Sequence, residues 1–102
     1  RDIKAGEQIT DEYGIFNLTY DIELTCAEPN CRKTVKPKDF DTFYTQWDEI
    51  IKRSLTKFKS VDQPLLVFID DFSKQELEAF IIDPLAYQSV YRLRNKEGIS
   101  KL

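Results

Sequence analysis

Any chemistry in this chain has to come from carboxylates, tyrosines, lysines and two cysteines, because its 102 residues contain no histidine. The absence of histidine excludes a Ser-His-Asp triad and an imidazole general base. Tyr13, which closes the polar stretch AGEQITDEYG, is a candidate site residue because a phenolic hydroxyl both donates and accepts hydrogen bonds. The local pattern alone favours a structural role for it, as a partly buried tyrosine at the end of a strand.

The two cysteines, Cys26 and Cys31, are candidate metal ligands, but they are equally explained as two small buried residues on a turn. A structural zinc ion needs four ligands, which two cysteines without histidine do not supply. A secreted disulfide framework usually carries four or more cysteines. The count therefore favours a reducing, intracellular setting, and we expect a cytoplasmic protein.

Charge and hydropathy narrow the range of partners. The net charge is −3 and the hydrophobic fraction is 41%, which is typical of a packed globular protein. No apolar run approaches the roughly 20 residues of a membrane-spanning helix, so we expect no membrane partner. The basic stretch RKTVKPK lacks interleaved aromatic residues, which favours a solvated loop over nucleic-acid binding. Asp70 and Asp71 are better explained as capping or turn residues than as ligands of a divalent metal.

The first third of the chain has the pattern of short strands. The stretches QIT and YDIELT are rich in β-branched and aromatic residues and are separated by turn signals. Within Tyr20–Thr25, apolar residues alternate with polar ones. This alternation predicts a half-buried strand.

The middle of the chain predicts a long helix. Pro37 and Asp39 offer a start, with Asp39 as the candidate N-cap. Apolar residues then recur at spacings of three and four, at Phe40, Phe43, Tyr44, Trp47, Ile50, Ile51, Leu55 and Phe58. A stripe of this kind normally packs into a core, so we expect these side chains to be buried.

The last third predicts a tightly packed apolar run and further helices. Leu65–Ile69 has the composition of a buried extended segment. Ser73 and Glu76 form a capping-box pattern that opens a helix. Asp83 precedes a proline and should end that helix. Pro84 can then begin a further short helix with Asp83 as its cap.

The stretch RDIKAGEQITDEYG resembles the last core motif of SET-domain protein lysine methyltransferases, approximately R-D-I-x-x-G-E-E-L-T-F-D-Y. Further along, CAEPNCRK resembles their cysteine-rich post-SET segment, often C-x-C-G-S-P-N-C-R-G. The matching positions are Gly6, Glu7, Ile9, Thr10 and Tyr13 in the first motif and Cys26, Pro29, Asn30, Cys31 and Arg32 in the second. The helical remainder is similar to the C-terminal extension of small bacterial SET proteins, in which a tryptophan-containing helix precedes a Gln-Pro-Leu segment.

The resemblance implies an α+β fold in two parts. Residues 1–36 would be the C-terminal part of a SET-type β-fold with short strands and a post-SET-like segment, and residues 37–102 a helical C-terminal extension. In the family, a cofactor glycine motif and an Asn-His motif lie upstream, so the chain is expected to be the C-terminal part of an enzyme. Its partners would be a protein or peptide lysine substrate and either the missing N-terminal SET half or a second copy of the chain.

The resemblance also implies roles for individual residues. Transfer of a methyl group from S-adenosyl-L-methionine to lysine mainly requires positioning and exclusion of water. In the family, the tyrosine that matches Tyr13 stands beside the transferring methyl group. Asp11 occupies a substrate-channel position where the family commonly has phenylalanine or tyrosine. Ile22 and Leu24 would flank the adenine end of the cofactor, although their alternation equally predicts plain core.

Two departures from the family pattern leave the function open. The first post-SET cysteine falls on Leu24, so we expect a degenerate, metal-free site rather than a zinc site completed by an upstream ligand. Together with Asp11, this leaves two interpretations: part of a methyltransferase with Tyr13 at the channel, or a non-catalytic SET-like protein-interaction module. A third is that the helical part is an independent partner-docking surface.

Overall fold

The structure is a computed structural model, and it describes residues 2–95. Two helices dominate it: α1 spans Asp39–Leu55 and α2 spans Asp71–Ile82. Two short strands, β1 (Ile22–Glu23) and β2 (Thr34–Val35), form an antiparallel pair. The 3-10 helices are Tyr13–Phe16, Phe58–Ser60, Leu66–Phe68, Pro84–Ala86 and Val90–Leu93. This combination of helices with a small antiparallel sheet agrees with the predicted α+β class. Within the described range, no helix combines the length and the apolar character needed to cross a membrane.

The β part is smaller than the sequence pattern predicted. Of the predicted strand, Ile22 and Glu23 pair with β2, and Leu24 adds one backbone hydrogen bond, donating its N–H to the carbonyl of Lys33 at 2.7 Å. The stretch QIT forms no strand. The partner strand is short because Lys33, directly before it, adopts a positive φ of 67° that turns the chain. Alternation of apolar and polar residues sets the two faces of a segment, but the length of a strand depends on its pairing partner.

Helix α1 carries the core, as its aromatic stripe predicted. Phe40 and Trp47 are buried, with ring centroids 5.6 Å apart in an edge-on arrangement, and Val90 packs against them from the C-terminal part of the chain. The stripe is not buried throughout, because Ile50 remains 56% exposed. Phe58 lies beyond the end of α1, in the next 3-10 helix.

The start of α1 differs by one residue from the prediction. Asp39 is the first helical residue, and the N-cap is Lys38, whose side chain makes no capping hydrogen bond. The Asp39 carboxylate instead accepts the backbone N–H of Lys36 at 3.0 Å, so it stabilises the turn that leads into the helix.

Helix α2 begins earlier than the predicted capping box. Asp70 is its N-cap and accepts the backbone N–H of Ser73 at 2.7 Å, and the Ser73 hydroxyl donates to the same carboxylate at 2.9 Å. The Ser73 cap was therefore wrong, whereas the capping role of Asp70 is confirmed. The predicted function of Asp83 is also confirmed: its carboxylate accepts the N–H of Leu85 at 3.0 Å, ahead of a 3-10 helix that starts with Pro84.

The segment Leu65–Ile69, predicted to be buried and extended, is neither. It contains a 3-10 helix, and Leu65, Val67 and Phe68 are 73%, 82% and 81% exposed. A short apolar run has no periodicity that says which surface it packs against, so composition alone did not separate a buried segment from an exposed one.

The C-terminal part of the described chain is attached to α1 through Asp48, which is buried. Its carboxylate accepts the hydroxyls of Tyr87 and Ser89, both at 2.6 Å, and the backbone N–H of Val90 at 2.8 Å. Burial raises the pKa of Asp48, but the hydrogen bonds from these three groups outweigh it and leave the pKa below its usual range. Burial and the hydrogen bond to Asp48 raise the pKa of Tyr87.

A second connection joins the N-terminal segment to the same C-terminal part. Asn17 adopts a left-handed conformation with φ of 55° at the end of the first 3-10 helix. Its amide donates to the carbonyl of Leu93 at 2.8 Å, and its side-chain oxygen accepts the N–H of Asn95 at 2.8 Å. The end of the first 3-10 helix therefore lies against the last described residues of the chain.

Candidate functional site

An open groove brings three of the candidate residues together. It has a volume of about 520 Å³ and is lined by Gln8, Ile9, Thr10, Asp11, Tyr13, Leu24, Arg32 and Val35. One side comes from the stretch that leads into the first 3-10 helix, and the other from the hairpin formed by β1 and β2. Asp11, Tyr13 and Leu24 thus share one surface. Ile22 lies opposite Val35 in the hairpin but does not line the groove.

Tyr13 is the first residue of a 3-10 helix and is 50% exposed. Its ring is tilted against Phe16, with centroids 5.7 Å apart. The expectation that Tyr13 ends a strand is wrong, because no strand precedes it in the described chain. Among residues 2–95, no hydrogen bond engages the Tyr13 hydroxyl, so this group can pair with a ligand in the groove.

Gly14, directly after Tyr13, is buried because the ring of Trp47 approaches its backbone. A Cβ at this position would lie 2.8 Å from Cη2 of Trp47 and 2.9 Å from Oε1 of Glu12. A side chain is therefore excluded at this position by the close approach of Trp47. This contact holds the backbone of Tyr13 against α1.

Arg32 is a site residue that sequence reasoning missed, because it was assigned to a solvated basic loop. Its guanidinium donates to Oε1 of Glu12 at 2.6 Å and lies 3.7 Å from Oδ2 of Asp39. It also stacks over the ring of Phe43 at 5.2 Å from the centroid. Arg32 therefore joins the hairpin, the N-terminal segment and the first turn of α1. Its partners are distant in sequence, so no local pattern marks the cluster.

The carboxylate of Glu12 is paired with a cation, whereas that of Asp11 accepts a backbone N–H. Glu12 caps the first 3-10 helix by accepting the N–H of Gly14 at 2.9 Å, and the same oxygen accepts Arg32. Asp11 is exposed on the groove wall, and one of its oxygens accepts the N–H of Glu12 at 2.8 Å. Because Arg32 is engaged by Glu12, the carboxylate of Asp11 gives this wall a negative charge that attracts a cationic side chain.

Cys26 and Cys31 are joined by a disulfide that closes the loop between β1 and β2, with their Cα atoms 6.3 Å apart. Cys26 is exposed and Cys31 half-buried, so they are not a pair of small buried residues. The backbone N–H of Lys33 donates to Sγ of Cys31 at 3.4 Å. In the described part of the chain, no group of three or more potential ligands is arranged to hold a metal ion. The degenerate, metal-free post-SET site stays a prediction.

The groove combines apolar and polar lining residues. Leu24 and Val35 supply an apolar wall, and Gln8 and Thr10 supply polar side chains for hydrogen bonds. The volume lies within the roughly 300–1,000 Å³ of typical small-molecule pockets. Of the two residues predicted to flank adenine, Leu24 lines the groove and Ile22 does not, and the cofactor itself stays a prediction.

Comparison of the chain with protein-family models, with curated proteins and with solved structures gives no match. The resemblance to SET-type proteins therefore depends on the residues of the two motifs. In the structure, Tyr13 of the first motif and Arg32 of the second motif both line the groove.

Proposed function

We propose that this chain is the C-terminal part of a SET-type, S-adenosyl-L-methionine-dependent protein lysine methyltransferase, with Tyr13 at the methyl-transfer channel. The observation that supports this proposal is that Asp11, Tyr13 and Leu24 line a single groove. The resemblance assigned these three residues to the substrate channel, the catalytic position and the cofactor wall. The substrate class is a lysine side chain of a protein or peptide.

The groove residues have distinct tasks in such an enzyme. The cofactor supplies a methyl group bound to a positively charged sulfur. A substrate lysine has a pKa near 10.4, so holding it neutral near pH 7 costs about 4–5 kcal/mol. A poorly solvated substrate channel lowers that cost because desolvation disfavours the ammonium form. The hydroxyl of Tyr13 orients the amine by hydrogen bonding, and Asp11 attracts the cationic side chain to the groove.

Asp11 also favours a second candidate function, a non-catalytic SET-like module that binds lysine without methylating it. Asp11 is exposed on the groove wall, where the resembling enzymes commonly have an aromatic residue. A carboxylate next to the bound amine stabilises the ammonium form, which has no lone pair for attack. The two functions therefore differ in the protonation state of the bound lysine.

Calorimetric titration of S-adenosyl-L-methionine separates these functions. The folded 102-residue chain and the complete protein that contains it are titrated in parallel. The methyltransferase proposal expects binding by the complete protein and little or none by the chain alone, because the family's glycine motif lies upstream. Binding by neither protein, with circular dichroism showing that both are folded, refutes the methyltransferase and leaves the interaction module.

The role of Tyr13 is tested by Tyr13→Phe in the complete protein. Loss of the hydroxyl should reduce kcat for methyl transfer to a lysine peptide by roughly 100-fold or more. The melting temperature should change little, because the ring is half-exposed. Tyr20→Phe is the matched control, since Tyr20 is 66% exposed and lies outside the groove. Near-full activity of Tyr13→Phe removes Tyr13 from the mechanism.

A further inference from the structure

Helix α2 is attached to the rest of the described chain along one side. The ring of Phe80 is buried and stands edge-on to Tyr87, with centroids 6.2 Å apart. Glu76 and Arg92 form a bidentate ion pair between the helix and the last 3-10 helix. These contacts fix the orientation of α2 and leave a second side of it exposed.

The exposed side of α2 carries three apolar residues, Phe72, Ala79 and Ile82, with the polar Gln75 between them. Successive members of this stripe are three or four residues apart, which places them on one helical face. Phe72 is 68% exposed and Ile82 is 85% exposed. Single exposed apolar residues are ordinary, but a stripe along one helical face indicates a contact surface.

This stripe borders a groove, here named the outer groove. It has a volume of about 510 Å³ and is lined by Phe72, Gln75, Glu76, Ala79, Ala86, Gln88 and Arg92. Ala79 and Ala86 are small, so another backbone can approach α2 closely between them. Leu85, adjacent to Ala86 in the chain, is 92% exposed and extends the apolar surface.

The chain segment that supplies α2 and Ala86 is rich in acidic residues. Residues 61–86 include six acidic residues and a single basic one, Lys74. Asp71 and Glu78 lie seven residues apart and therefore on the same side of α2, next to Gln75, and both are exposed. Within residues 2–95, no ion pair involves either of them. Among the described residues that line the groove, Arg92 is the only positively charged one, and it is paired with Glu76.

We propose that the outer groove binds a basic, amphipathic helical segment of a partner protein. Apolar side chains of that segment would cover Phe72 and Ile82, and its lysine or arginine side chains would lie against Asp71 and Glu78. Helix-in-groove recognition uses apolar anchors at the spacing that this stripe complements. Opposite charges favour such a partner and disfavour a second copy of α2, which would place carboxylates against carboxylates. This surface is independent of the proposed methyltransferase function.

The probe is a fluorescent synthetic peptide that repeats Leu-Lys-Lys-Leu-Leu-Lys-Lys, and its binding to the full chain is measured by fluorescence anisotropy. A control peptide carries glutamate in place of every lysine. We expect the basic peptide to bind at least about tenfold more tightly than the acidic one. We also expect its affinity to fall as salt is added, because exposed charge pairs are screened.

Two variants locate the site. Ala79→Trp fills the outer groove from an exposed position and should weaken binding at least about tenfold. The double variant Asp71→Asn with Glu78→Gln removes the two negative charges beside the groove and should weaken peptide binding about fivefold. The matched control, Asp21→Asn with Glu28→Gln, makes the same change of charge at exposed hairpin positions outside the outer groove. The control should bind as the unmodified chain does, within about twofold.

Three outcomes would overturn the proposal. One is equal affinity for the basic and the acidic peptide, and another is unchanged binding by Ala79→Trp while circular dichroism shows that it is folded. The third is a dimer in light scattering that Ala79→Trp converts to a monomer and that the basic peptide does not dissociate. That last result would identify a second copy of the chain as the occupant.

Discussion

Replacing Asp48 by alanine should release the C-terminal segment from helix α1. The carboxylate accepts three hydrogen bonds, from Tyr87, Ser89 and the N–H of Val90. Hydrogen bonds to a charged group contribute roughly 1.5–3 kcal/mol each, and their losses are not additive within one cluster. Removal of the carboxylate leaves three neutral donors without their acceptor, and each unsatisfied buried donor costs about 1–3 kcal/mol. We therefore expect Asp48→Ala to lower the free energy of unfolding by about 3–5 kcal/mol.

Asp41 provides the matched control, because it lies about two turns earlier on α1 and also accepts a tyrosine hydroxyl, that of Tyr91 at 2.8 Å. Arg94 lies 3.3 Å from its other oxygen. The Asp41 side chain is 45% exposed, so water replaces these partners when the carboxylate is removed. Asp41→Ala should therefore cost only about 0–1 kcal/mol.

The assay for both variants is urea unfolding followed by far-ultraviolet circular dichroism, with linear extrapolation to water. A loss below about 1 kcal/mol for Asp48→Ala, or equal losses for the two variants, would refute the argument from burial. Acid provides an independent check with Asp48→Asn. Because the folded pKa of Asp48 is lowered, its stabilisation is present above the unfolded pKa of about 3.9 and is lost as pH falls through the folded value. The difference between the unmodified chain and Asp48→Asn should therefore shrink in acid.

Three further predictions concern the candidate groove. Gly14→Ala should destabilise the protein by about 1–3 kcal/mol, because its Cβ would press on Trp47, and an unchanged melting temperature would contradict that contact. Arg32→Ala should cost about 1 kcal/mol and increase proteolysis in the β1–β2 hairpin, whereas unchanged cleavage would show that Arg32 does not hold the hairpin. Joint replacement of Cys26 and Cys31 by serine should cost about 2 kcal/mol for so short a loop. Alkylation of two thiols in unreduced protein would contradict the disulfide.

The helices were the part of the fold that sequence reasoning predicted best. The stripe of α1 spans many positions, and its period alone identified the element and its buried face. The first residue of α2 was harder to predict, because Asp70 and Ser73 are both good capping residues. Only the backbone conformation shows which of them is the N-cap. The strands were overestimated, since a strand pattern carries no information about the partner.

Some residues of the candidate groove were predictable from the sequence, but their meeting on one surface was not. Asp11 and Tyr13 lie close together in the sequence, and the motif marks them both. Leu24 reaches the same surface only because the hairpin folds back. The position of Arg32 is set by its contact with Glu12, which is well separated from it in the chain. The periodicity of a sequence does not predict such contacts.

Trp47 gives the protein an intrinsic optical reporter. It is the only tryptophan of the chain and is enclosed by the rings of Phe40 and Phe43 on α1 and by the backbone of Gly14. Indole emission shifts to longer wavelength when water reaches the ring. Separation of the N-terminal segment from α1 would therefore shift the emission maximum of Trp47 to longer wavelength. The emission of unlabelled protein therefore reports whether Gly14 and the N-terminal segment are packed against α1.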